Sequence, residues 1–472
     1  MTSTMGQQTA SAQPSPTYED RVSALRGQYA AIAPGDPVRL AKRTSNLFRP
    51  RQQASTPGLD VAAFDGVLSV DPSSRTAVVQ GMTTYEHLVA ATLPHGLVPL
   101  CVPQLRTITL GGAVTGLGIE SASWRNGCPH ESVLSMDVMT GAGDVLTVTR
   151  DAADPHADLF HGFPNSYGSL GYALSLTIEL EPAAPYVRLR HIPVGDARGA
   201  AQVLAEVCRD GAWDGERVDF VDGTVFSPTE AYVSLGRYEQ NAAGQTPSDR
   251  TKDSIYYRSV QSERTDLLTT HDYLWRWDTD WFWCSRAFGA QNPTIRKLWP
   301  AKLLRSDVYW KLIALDRRTS FSTRLDAARR RPPREHVVQD IEVPVDRLAE
   351  FLDFFHREVG IEPVWLCPLR QRDPDQRWPL YQLDPGTTYI NVGFWSTVGV
   401  PNGVDPADGR VNRRIEQVVA ELGGRKSLYS TAFYPREEFD RLYGGTEYRE
   451  LKDRYDPEGR LLGLYEKTVG RR

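Results

Sequence analysis

With 472 residues, 40% of them apolar and 24% charged, the chain can bury a sizeable core and has room for roughly two to four domain-sized units. A formal net charge of −5, without a tail of like charge, argues against nucleic-acid binding, and no window approaches the roughly 18 apolar residues of a membrane span. Five scattered cysteines (Cys101, Cys128, Cys208, Cys284, Cys367) and nine histidines form no CxxC, HExxH or HxxxH, so neither a metal site nor a disulfide framework is expected, and a reducing, cytoplasmic setting is.

Residues 1–17, rich in Ser, Thr, Gln and Ala, read as a disordered leader rather than a signal peptide. Tyr18 to Ile32 suits one amphipathic helix, ended by Pro34-Gly35. A basic, turn-prone stretch follows from Val38 to Arg51. Gly66–Asp71 and Thr76–Gly81 flank Pro72-Ser-Ser-Arg as a hairpin, and Thr83–Leu93 reads as a short helix with Thr83 or Thr84 as its N-cap. After a glycine-rich run from Val98 to Gly127, Val133–Met139 and Val145–Thr149 predict a second hairpin. A second glycine-punctuated stretch then leads into a strand from Tyr172 to Glu181, and Pro182 and Pro185 mark a boundary. Beyond it strands and helices alternate, with helices expected over Ala197–Asp210, Val345–Glu358 and Asn412–Leu422. An aromatic cluster (Tyr273, Trp275, Trp277, Trp281, Phe282, Trp283) sits among them. The fold class is α+β, a nucleotide-binding lobe followed by a substrate lobe.

The most informative stretch is Thr107 to Gly127. Four glycines within eight residues (Gly111, Gly112, Gly116, Gly118) leave backbone N–H groups that a phosphate or flat ring can approach closely, and Thr107, Thr109, Thr115, Ser121 and Ser123 add hydroxyls. The spacing G-G-x-x-x-G-x-G is neither a dinucleotide fingerprint nor a P-loop. On glycine count alone, a tight surface loop is an equal reading.

The order of hairpin, helix, Leu-Gly-Gly loop, second hairpin and Gly-Ser-Leu-Gly before a strand resembles the vanillyl-alcohol-oxidase-like, or PCMH-type, FAD-binding domain over Val38 to Glu181. The resemblance implies that Thr109, Leu110, Gly111, Gly112, Ala113, Val114, Thr115, Gly116, Leu117, Gly118, Ile119 and Ser121, with Thr107 and Gly127, wrap the pyrophosphate and flavin. It places Gly168, Gly171 and Ala173 near the adenosine half. Residues 115–123, His336-Val-Val-Gln-Asp340, Pro363-Val-Trp-Leu-Cys-Pro368 and Tyr434-Pro-Arg-Glu-Glu-Phe439 look like the Δ24-sterol reductase branch of that family. The implied organisation is an FAD-binding domain over 18–185 and a substrate or cap domain over 186–472, whose last segment, from about 425, returns to the first lobe. The membrane anchor of eukaryotic members is not expected here. The family's usual early pyrophosphate loop is replaced by Lys42-Arg43-Thr44-Ser45-Asn46, which keeps donors and positive charge. That loop has no His or Cys to take a covalent flavin, so FAD is expected to be non-covalent.

Reducing a C=C bond beside a flavin needs a positioned acid, and the reverse needs a base. His336 and Asp340 lead the candidates by resemblance. Their segment reads as a strand, so both face one side. The other reading of His336, the commoner one for a lone histidine, is a hydrogen-bonded structural residue. Glu120 is a second acid, or else a partner of Arg125. Tyr389 and Asn391, on an expected strand from Thr387 to Trp395, face either the flavin or solvent. Tyr434 and Lys426 are expected to approach the cofactor. The aromatic cluster is either a ceiling over a large apolar substrate, or a core seam or docking patch for a membrane or partner. The resemblance favours hydride transfer to or from a lipophilic molecule, with NAD(P)H as a transient electron donor although no dinucleotide motif is visible. Oxidation of an alcohol, sugar or amine, and a cofactor-free scaffold, are the other readings.

Overall fold

The computed structural model describes residues 16–42, 48–49, 58–250, 254–319 and 332–469. Most of the expected leader, and Arg43, Thr44, Ser45 and Asn46, lie outside the described residues. Helix α1 (Tyr18–Ala30) opens on a reciprocal cap: the Thr17 hydroxyl accepts the Asp20 N–H at 3.2 Å and the Asp20 carboxylate accepts the Thr17 N–H at 2.9 Å. The first hairpin pairs β1 (Val67–Asp71) with β2 (Thr76–Gln80), and α2 (Tyr85–Thr92) starts where Thr84 accepts the His87 N–H at 3.3 Å. After β3 (Leu97–Pro99) and the short helix α3 (Leu110–Thr115), the second hairpin joins β4 (Val133–Thr140) to β5 (Val145–Thr149). The long β6 (Gly171–Pro182) completes an antiparallel sheet of order β1-β2-β6-β4-β5, with β3 on the end of β6. Leu174, Leu176, Ile178 and Leu180 of β6 are all buried, the period-2 pattern of a strand with one face on the core.

Four residues after β6, the chain begins a second sheet. It comprises β7 (Tyr186–Pro193), β8 (Phe220–Ser227), β9 (Glu230–Glu239), β10 (Thr265–Thr269), β11 (Arg334–Pro344), β12 (Val364–Leu369), β13 (Tyr389–Gly399) and the two-residue β14 (Arg425–Lys426). All pairs are antiparallel, in the order β10-β7-β9-β8-β12-β13-β11-β14. Helices α4 (Ala197–Asp210), α5 (Leu348–Glu358) and α6 (Arg410–Glu421) cover one face. There Val203, Leu204, Phe351, Phe355, Ile415 and Val419 pack on Val337, Ile341, Leu366, Val392 and Phe394. The N-terminus of α6 lacks a cap of its own. Glu335 of β11 supplies it, accepting the Val411 and Asn412 N–H groups at 3.0 and 2.9 Å, a contact worth about 1 kcal/mol. This tie fixes β11 with its odd residues toward the helices, so His336, Val338, Asp340 and Glu342 face the other side.

Helices Arg436–Leu442, Gly445–Tyr455 and Leu464–Thr468 carry the chain back to the first sheet. The Lys452 ammonium donates to Ser169 O at 2.9 Å, Lys467 donates to Gly168 O at 2.6 Å, and the Val38 N–H donates to Arg460 O at 2.8 Å. No helix among the described residues is long and apolar enough to cross a membrane.

Candidate active site

Between the uncovered face of the second sheet and the glycine-rich segment lies a cleft of about 1200 Å³, counting its open mouth. Gly112, Ala113, Thr115, Leu117, Gly118 and Ile119 line one side, with Thr107, Thr109 and Gln104. Trp281, Phe282, Trp365, Trp395 and Tyr429 line another, with Asp340 and Ser427. Phe48 borders it and is held by a hydrogen bond from its N–H to Tyr429 O at 3.0 Å, which ties an early segment to a late one.

Asp340 owes its place to cross-strand register. It lies opposite Gly393 of β13, and Gly393 in turn lies opposite Trp365 of β12, so the three share the cavity face of the sheet. The Asp340 carboxylate accepts from Asn391 Nδ2 at 3.3 Å and from the Tyr429 hydroxyl, which itself accepts from Trp395 Nε1 at 2.8 Å. Burial outweighs both hydrogen bonds and pushes the Asp340 carboxyl up to about 7. Two residues on, Glu342 faces the same way. Its carboxylate accepts from Ser427 Oγ at 3.0 Å and from the Tyr381 hydroxyl. Burial first, then the nearby Asp340 charge, push it up to about 8. Two carboxyls able to hold protons near neutral pH therefore sit side by side, joined to the cavity through Asp340 and Ser427.

The other expected acids lie elsewhere. His336 is at the exposed outer end of β11, opposite Thr397. It shares Asp340's face, but four residues of strand separate them by about 13 Å. Glu120 is buried on the far side of the glycine segment. It accepts from Ser121 Oγ at 3.0 Å, Ser121 meets the Tyr273 hydroxyl at 2.7 Å, and burial pushes Glu120 up to about 7. Arg125 is not its ion-pair partner: that guanidinium grips Glu181 at 2.6 and 2.8 Å. Tyr389 is buried against Cys128 and Leu369, its hydroxyl accepting the Asp384 N–H at 3.2 Å. Lys426 is enclosed in an ion pair with Glu416 at 2.9 Å, which occupies the charge expected to approach a cofactor. Tyr434 packs on Tyr443 with ring centres 5.9 Å apart, outside the cavity lining.

The glycine block divides by face. Leu110, Gly111 and Val114 turn to the first sheet. The Gly111 N–H donates to Gly81 O at 2.9 Å, and a methyl group on Gly111 would stand 2.7 Å from that oxygen. Gly112 turns to the cavity. Gly116 lies against the Tyr167 ring, Gly127 takes φ 72° beside the Glu131 carboxylate, and Gly168 takes φ 72° with its carbonyl on Lys467. Gly171 and Ala173 pair with Thr140 and Val138 inside the sheet.

Residues 25–149 match the family model of the FAD binding domain. The chain is 26% identical to the Delta(24)-sterol reductase of Arabidopsis thaliana over 439 residues, 87% of this chain and 76% of that protein. It is also 26% identical to the Delta(24)-sterol reductase of Homo sapiens over 422 residues, 85% and 75% of the two chains. The chain is an FAD-dependent oxidoreductase. A shorter similarity, 28% over 163 residues, links this flavoenzyme to cytokinin dehydrogenase 2 of Oryza sativa subsp. japonica and covers 34% of this chain and 28% of that one.

The cavity of the flavoenzyme fits FAD on its own features. Gly112 offers bare backbone where a methyl group would come within 2.8 Å of Thr109 Oγ1. The Thr109 hydroxyl accepts from Gly112 N–H at 3.2 Å, leaving its hydrogen for a ligand oxygen. Gln104 Nε2 is buried in the lining without a partner among the described residues, a donor awaiting an acceptor. These groups, with Lys42, Thr107 and Thr115, would hold the diphosphate, and the aromatic lining would take the ring. Sequence reasoning missed Gln104, Phe48, Tyr167, Trp395, Ser427 and Tyr429 as lining residues. Only Trp395 carried a signal, its odd-numbered alternation with Asn391 on an expected strand. The aromatic cluster divides: Tyr273, Trp275 and Trp277 are core, while Trp281 and Phe282 line the cavity.

Proposed function

We propose that this chain reduces an isolated C=C bond in a lipophilic, sterol-like molecule, with Asp340 as the proton donor. The observation that carries the reading is a half-buried carboxyl, pushed up to about 7 by its surroundings, on the side of the cavity lined by Trp281, Phe282, Trp365, Trp395 and Tyr429. Such walls suit a large apolar substrate and offer few partners to the hydroxyls of a sugar. Bound FAD supplies hydride chemistry. Asp340 delivers a proton to the alkene carbon that does not receive hydride, so the double bond gains two hydrogens and Asp340 is left ionised. Asn391 and Tyr429 then donate to the carboxylate, and Ser427 and Glu342 stand behind it to restore the proton. In this reading NADH or NADPH provides the electrons by visiting the same cavity, in keeping with a sequence in which no dinucleotide motif is visible.

The test is turnover of a sterol with an isolated side-chain double bond, with NADPH, in D2O. The expected product carries one solvent deuterium at the protonated carbon by mass spectrometry. A yellow protein that reduces no alkene, but whose flavin is reduced by an alcohol or sugar, would replace this reading with oxidation of a polar substrate.

A further inference from the structure

Between Arg286 and Thr319 the sequence holds eight Lys or Arg residues against two Asp, in a chain whose net charge is −5. The same stretch exposes four large apolar side chains, Leu298 at 82%, Leu315 at 58%, Ile295 at 42% and Leu303 at 40%. Its local structure explains which residues are left outside. In helix Pro293–Leu298, Arg296 turns inward to Asp280 at 2.7 and 3.0 Å, and Leu304 is buried after the turn Ala301–Leu303. Ile295, Lys297, Leu298, Lys302 and Leu303 are thereby left exposed. The segment also packs against the wall of the cavity. Trp310, on helix Ser306–Thr319, has its ring 4.8 Å from Phe48 and 5.9 Å from Trp281, and both of those line the cleft.

We propose that this segment docks on an anionic phospholipid bilayer, which delivers a lipophilic substrate to the adjoining cavity. The delivery rests on the function proposed above; the docking does not. Exposed leucines interleaved with lysines are the chemistry of a peripheral membrane contact, in which apolar groups enter the interface and cations meet lipid phosphates. The charge also argues against a second copy of this chain as occupant. A two-fold contact through the patch would set like charges against each other.

The experiment is flotation of the purified flavin-loaded protein with vesicles of 70% phosphatidylcholine and 30% phosphatidylglycerol, and with phosphatidylcholine alone. The expected result is co-flotation with the anionic vesicles only, weakened by high salt. The paired variants Leu298→Glu with Leu303→Glu, and Lys297→Glu with Lys302→Glu, each lower partitioning by about tenfold or more while keeping bound flavin and melting temperature. Three outcomes overturn the docking: no flotation with either vesicle, flotation untouched by both variant pairs, or a wild-type dimer that the leucine variant makes monomeric. Protein that floats but reduces no alkene keeps the docking and removes the proposed function.

Discussion

Gly393 stands directly across the sheet from Asp340, and a methyl group on it would lie 2.5 Å from Asp340 Oδ1 and 2.7 Å from the Trp395 ring. A glycine inside a buried strand normally weakens it. Here the missing side chain is the space in which the carboxyl and the indole sit.

Gly393→Ala should therefore displace Asp340 and lower kcat, at a stability cost of about 1–3 kcal/mol for overpacking. Asp340→Asn keeps the shape and removes the proton, and should lower kcat by roughly 10²–10⁴-fold. Steady-state kinetics with flavin content as the control checks both. Asp340→Asn with undiminished kcat would remove it as the acid.

Glu342 gives a prediction whose sign follows from burial. Its carboxyl is pushed from an ordinary 4.5 up to about 8, so the folded chain holds this proton where the unfolded chain has released it. The associated stability is fully present below about pH 4.5 and is lost as pH rises through about 8. Glu342→Gln, which does not titrate, should melt higher relative to wild type at pH 8.5 than at pH 4.5. Differential scanning calorimetry at the two pH values checks the crossover.

Adjacent glycines should fail in different ways. Gly111→Ala meets the Gly81 carbonyl, which cannot yield, and should lower the melting temperature of the whole chain. Gly112→Ala projects toward the cavity past Thr109 Oγ1 and should purify with less flavin while melting near the wild-type apo temperature. The visible absorbance ratio and a melt with and without added FAD separate the two.

Trp395→Phe removes the N–H that orients the Tyr429 hydroxyl. Tyr429 should then hold Asp340 less firmly, and kcat should fall by about fivefold, near the 1 kcal/mol of one hydrogen bond. The pH at which activity declines should move as well, which a purely structural loss would not produce. A pH–rate profile checks it.

The first sheet was legible because its strands alternate and its turns carry glycine, proline and aspartate, so hairpins at 66–81 and 133–149 follow from local chemistry alone. The glycine block was legible as a stretch of bare backbone, but not which glycine would face the cavity, because Gly111 and Gly112 differ only in what lies opposite. Asp340 and His336 were rightly put on one strand face; strand length then parts them, a matter of depth that periodicity does not carry. Tyr429, Ser427 and Gln104 left no local trace. Their role arises from contacts between segments hundreds of residues apart, as when Phe48 bonds to Tyr429.

That long-range closure has a consequence for how the protein is made. The cavity draws on residues from Lys42 to Tyr429, so it does not exist while a nascent chain is shorter than that. From the end of the second hairpin at Thr149, a ribosome needs roughly 15 to 60 s to reach Tyr429 at ordinary elongation rates. During that interval the glycine segment and its apolar surroundings wait without their opposite wall. Cofactor capture is thus a late event in biosynthesis, and the unfinished lobe is the species most in need of a chaperone.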